Sequence, residues 1–171
     1  PRLHYSRYVT EYVLYVIVKG SLKLNVNNDT VVLKSGDVYL FQKGDSQEPL
    51  ESGFCEYFYV HFQSDSVCEM ELEAAEYTEL LRKKHEKCIR TDAFSSKCYD
   101  FLNVLIRQET HISSDTLLES ITDALQNSIL TTECKSPQRR FEISNAVALI
   151  FLKLESTTMQ KANRSEQNLE R

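Results

Sequence analysis

The chain has 171 residues, 42% of them hydrophobic and 26% charged, enough for one packed domain with a helical appendage and too apolar for a disordered chain. Its 20 basic and 25 acidic side chains leave a net charge of −5, the wrong sign for holding nucleic acid by neutralising phosphates. No apolar run approaches the about 20 residues of a membrane-spanning helix; the longest of interest is Ala146 to Leu152. Pro1-Arg2-Leu3-His4 is unlike a signal peptide, so a cytoplasmic protein without membrane contact is expected. A chain opening on Pro1 instead of Met reads as a piece of a longer one. The five cysteines (Cys55, Cys68, Cys88, Cys98, Cys134) are odd in number and lack C-x-x-C spacing, which points to reduced thiols rather than a disulfide framework or a zinc site.

Tyr12 to Lys19 is dense in β-branched and aromatic residues and predicts a strand ending in a turn at Gly20. Leu22, Leu24 and Val26 alternate with polar residues, the pattern of a half-buried strand. Asn27-Asn28-Asp29 supplies turn chemistry before a strand at Val31 to Leu33. Ser35-Gly36-Asp37 predicts a second turn, Val38 to Phe41 a strand, Gly44-Asp45 a third break, and Glu56 to Phe62 a long aromatic strand. Short strands at this spacing describe an antiparallel sandwich or barrel. Residues 64–92 read as a short helix or loop, with a late strand at Lys87 to Thr91. The acids Glu69 to Glu79 there read as a solvated face. Helices follow: one begun by Ser95-Ser96 with Tyr99, Leu102, Leu105 and Ile106 on a face, one opened by Ser113-Ser114-Asp115 with Leu118, Ile121, Leu125 and Ile129, and, after Pro137, a third from Arg139 to Gln160. Lys161 to Arg171 is polar and reads as a linker or frayed tail.

Three segments in this order resemble the N-terminal domain of AraC/XylS-family transcription regulators. They are Tyr12 to Lys19 followed by Gly20; Leu33-Lys34-Ser35-Gly36-Asp37-Val38-Tyr39-Leu40-Phe41 with Gly44; and Tyr57-Phe58-Tyr59-Val60-His61-Phe62. The resemblance implies an α+β chain: an antiparallel cupin-like barrel (double-stranded β-helix, or jelly roll) over residues 1–92 that binds a small effector, a helical dimerisation segment over 93–160, and a linker over 161–171. It places DNA contact in a helix-turn-helix domain outside this chain, with no catalysis and no cofactor within it. Two departures stand out. Gln42 and Gln47 stand where cupins often carry Pro and His. Ser21-Leu22-Lys23-Leu24-Asn25 offers no His-x-His, and His4, His61, His85 and His111 are scattered, so no metal is expected. The rival classes are a metal-dependent cupin isomerase or dioxygenase, which lacks its ligand set here, and a stand-alone carbohydrate-binding cupin.

Along the aromatic strand, Tyr57, Tyr59 and His61 share one face, while Phe58, Val60 and Phe62 form a wholly apolar one. Three amphipathic rings suit a pocket that stacks on and hydrogen-bonds a small polar molecule, a sugar or an organic acid. Tyr15, Ile17 and Lys19 share a face of the first strand. The resemblance puts a basic and an aromatic effector-facing residue at Lys19 and Tyr59, with Tyr15, Tyr57, His61 and Gln47 as further candidates; an outer, half-exposed barrel face is the bland alternative. In the third helix Ile143, Val147, Ile150 and Leu154 step by 4, 3 and 4, the spacing of a coiled-coil seam. A homodimer through that seam is expected, against the alternative of a central helix in a monomeric bundle.

Overall fold

A computed structural model describes residues 6–64, 66–90, 103–133 and 137–169. Among these the chain is α+β, with a seven-stranded antiparallel sheet and three helices. The elements run β1 (Arg7–Tyr8), β2 (Tyr12–Val26), β3 (Asp29–Lys34), β4 (Asp37–Phe41), β5 (Ser46–Pro49), β6 (Cys55–Phe62), α1 (Ala74–Arg90), β7 (Glu109–His111), α2 (Asp115–Glu133) and α3 (Arg139–Leu169). The chain forms two compact units. One comprises residues 1–65 and 107–147, the other 66–106 and 148–171. In this division β7 and α2 belong with the strands of the first unit.

Within the first unit β2 is the spine. Its first half pairs with β4 and β6, and its second half with β3 and β5. The expected turn at Gly20 is absent; the strand runs through it. Gly20 takes φ +76°, and a Cβ there would collide with the Phe54 carbonyl, so only glycine fits. Just before it the register with β6 slips between Ile17 and Lys19, leaving Val18 as an inserted residue. Such a bulge reverses the alternation of faces. Val13, Tyr15 and Ile17 therefore share one core with Leu22, Leu24 and Val26, joined by Leu33, Tyr39 and Phe41.

The turns follow their residue chemistry. Val26 pairs with Asp29 across Asn27-Asn28, both at positive φ, as a two-residue hairpin turn demands. Asp37 Oδ2 accepts from the Lys34 amide at 2.7 Å, and Asp45 Oδ2 from the Gln42 amide at 2.7 Å. Both carboxylates close their own turns. The opposite face of β2 is also buried at Leu14 and Val16, and α2, with buried Ile121 and Leu125, packs on this strand. Leu117 donates its amide to Ser114 Oγ, an N-cap at the expected place.

The second unit contains α1, where a late strand was expected at Lys87 to Thr91; the helix continues to Arg90. Among its described residues, Tyr77 and Leu81 of α1 and Ile150 and Leu154 of α3 are the buried apolar ones. Lys84 pairs with Glu155, and Leu105 is held at both ends, its carbonyl accepting from the Tyr77 hydroxyl at 2.9 Å and its amide donating to Glu155. Leu105 and Ile106 lie in irregular chain rather than a helix. The rest of that expected helix, including Tyr99 and Leu102, falls outside the described residues. No helix among the described residues is long and apolar enough to cross a membrane.

Candidate functional site

The site begins with strand register. Tyr15 stands opposite Tyr59 on β6 and Tyr39 on β4, and Ile17 opposite Tyr57. Cross-strand partners project to the same face, so Tyr15, Tyr57, Tyr59 and His61 come together. The Tyr15 ring stacks on Tyr57 at 5.0 Å between centroids and meets Phe41 edge-on at 4.8 Å. Tyr59 lies beside Tyr15 and meets His61 edge-on at 5.5 Å.

A second pairing brings in polar groups. β1 runs beside β5 with Arg7 opposite Gln47. The Arg7 guanidinium sits 5.9 Å from the centre of the Tyr15 ring and donates from Nη2 to the Tyr15 hydroxyl at 3.0 Å. Gln47 is wholly buried. With its amide oxygen turned toward Arg7, that oxygen accepts from Nη2 at 3.1 Å and also from Nε. Arg7 Nη1 lies 3.4 Å from His61 Nε2, and His61 Nδ1 lies 2.6 Å from Glu11 Oε1. Since arginine can only donate, this geometry fits a neutral imidazole, its Nδ1–H given to Glu11 and its Nε2 lone pair facing Arg7.

Tyr15 and Tyr57 are held as neutral phenols. Burial pushes Tyr15 up to about 12, against the opposing pull of Arg7. Burial also raises Tyr57, helped by Cys55 and Tyr59. At neutral pH these groups act as hydroxyls rather than phenolates.

Of the six expected ligand-facing residues, Tyr15, Tyr57, Tyr59, His61 and Gln47 converge. Lys19 does not. The bulge at Val18 turns it away from the Tyr15 face and pairs it with Glu56, where its side chain is 67% exposed and 3.6 Å from the carboxylate. Arg7 supplies the basic group instead. Nothing in the local pattern around Arg7 marks it; only the pairing of β1 with β5 brings it in.

The expected seam of α3 is divided. Ile150 and Leu154 are 1% and 2% exposed within the single chain, and Ile143 and Val147 are half-buried. Among the described side chains of this helix, the large apolar ones left open are Phe141, Leu149 and Leu152. Among the described residues no three His, Cys, Asp or Glu side chains gather as a metal site would require. Cys55 and Cys68 are free thiols; Cys98 and Cys134 lie outside the described residues. No protein-family model matches the chain, and no curated protein matches it.

Proposed function

We propose that this chain is the effector-sensing and dimerisation part of an AraC-type transcription regulator. In this reading a small polar molecule binds at the Arg7–Tyr15–Gln47 cluster and changes how a helix-turn-helix domain outside this chain meets DNA. Two copies pair through α3, and the chain itself is not an enzyme. A cupin-like barrel, with the strands curled into a closed jelly roll, is part of the same proposal. One observation carries it: an arginine, a buried glutamine and a histidine meet three tyrosine rings on one sheet face. Aromatic surface with a few convergent polar groups is the usual make-up of a small-ligand site. Ligand binding to one of two conformers shifts their balance by the difference in its affinity for each.

Thermal-shift screening of sugars and organic acids tests the site. A true effector raises the melting temperature of the wild-type chain. Tyr59→Ala, a change at a side chain 59% exposed, leaves the unliganded melting temperature nearly unchanged and weakens that effector by roughly thirtyfold, the loss of about 2 kcal/mol. An effector that binds Tyr59→Ala as tightly as wild type places the site elsewhere.

A further inference from the structure

Arg7 brings a full positive charge to the cluster, and the cluster does not neutralise it. A guanidinium has five N–H donors. Nη2 is taken by Tyr15 and Gln47, Nε by Gln47, and Nη1 has one contact, to His61 at 3.4 Å. These acceptors are a phenol, an amide and an imidazole. Among the described residues no carboxylate pairs with Arg7, and Glu11 is engaged on the far side of His61. A cation drawn partly out of water is stabilised chiefly by an opposite charge held against it. One Nη1–H remains to be filled. The Tyr59 ring lies beside both rings that Arg7 touches, and among the described residues its hydroxyl has no hydrogen-bond partner.

We propose that the ligand of this site is a small monocarboxylate with a flat or apolar body. One carboxylate oxygen accepts from Arg7 Nη1, the other from the Tyr59 hydroxyl, and the body lies against the tyrosine rings. The proposal rests on the effector-site reading above and narrows it. A neutral sugar would leave the guanidinium uncompensated, and a phosphate dianion would face a single cation. The chain carries a net charge of −5, so its overall field repels anions and the selection falls to Arg7 itself.

Titration calorimetry with four probes tests this: phenylacetate, phenylacetamide of the same shape without charge, D-glucose and inorganic phosphate. The wild-type chain should bind phenylacetate at least about tenfold more tightly than any of the other three. Arg7→Gln should abolish the preference over phenylacetamide, with fold checked by circular dichroism. Arg7→Lys keeps the charge and loses the fork, so it should retain a reduced preference; it carries the test if Arg7→Gln does not fold. Phenylacetamide or glucose binding as tightly as phenylacetate, or phosphate binding more tightly, overturns the carboxylate proposal and leaves the effector site standing. A preference undiminished in the folded Arg7 variants also overturns it. Failure of every probe at millimolar concentration overturns the carboxylate proposal, and an effector found among other compounds that survives Tyr59→Ala removes the site as well.

Discussion

The Tyr15 ring belongs to the sheet core, while its hydroxyl belongs to the polar cluster. A phenol ordinarily ionises near 10, and burial pushes both Tyr15 and Tyr39 up to about 12, Asp45, Glu109 and Asp29 adding to the effect at Tyr39. Their folded-state values lie above the unfolded ones. Their contribution is therefore fully present below about pH 10 and is lost as the pH rises toward 12. Urea midpoints should stay level from neutral pH to about 9 and fall between about 10 and 12, with a shallower fall in Tyr15→Phe. An equally steep fall in that variant would assign the alkaline loss to other groups. At this scale the aromatic members of the site were legible, because alternation along the Glu56 to Phe62 strand already places Tyr57, Tyr59 and His61 together. The basic member was not. Alternation from Tyr15 through Ile17 to Lys19 assumes a regular strand, and the inserted Val18 breaks that assumption. Arg7 depends on a two-residue strand whose partner lies forty positions away, a relation no local pattern carries.

Elements with a strong period were legible: the two halves of β2, β3, β4, β6, α2 and the start of α3 all announce themselves in the sequence. β5 and β7 do not. Ser46–Pro49 has one inward residue, the polar Gln47, and Glu109–His111 is polar throughout, so neither shows the apolar alternation of a strand. α1 hides for a related reason: among its described side chains the buried stripe is narrow, Tyr77 and Leu81 followed by Lys84, whose charge is met by Glu155. In α3 the buried and open apolar side chains make opposite predictions. Burying one Leu or Ile contributes roughly 1.5 to 3 kcal/mol, and a carboxylate in its place lacks a partner. Ile150→Glu with Leu154→Glu should therefore cost the second unit its cooperative melt. Leu149→Glu with Leu152→Glu should leave helicity intact and convert a dimer of about twice the 19.8 kDa chain into a monomer by light scattering. A wild-type chain that is already monomeric at high micromolar concentration removes the dimer.

At the scale of the whole molecule, each compact unit is built from two stretches of chain. β7 comes from the second stretch of the first unit, yet it hydrogen-bonds to β4, with Asp37 opposite His111 and the two side chains 2.7 Å apart. Cutting the chain after residue 92, the barrel boundary that sequence alone favours, removes both β7 and α2. The truncated chain should keep β-type circular dichroism and lose its sharp thermal transition, because the outer face of β2 is left bare. A cooperative melt matching the intact chain would show that the strands suffice alone. β2 itself imposes a further constraint. Four strands hydrogen-bond to this one strand, two along each half, and Tyr15 lies within it. The half that carries Tyr15 is laddered on both sides, Tyr15 standing between Tyr39 of β4 and Tyr59 of β6, so its backbone is freed only when a strand flanked on either side is pulled from a neighbour. Breathing motions that free the Tyr15 amide must therefore be the rare, large ones, and anything seated at its hydroxyl rests on the slowest-opening part of its unit.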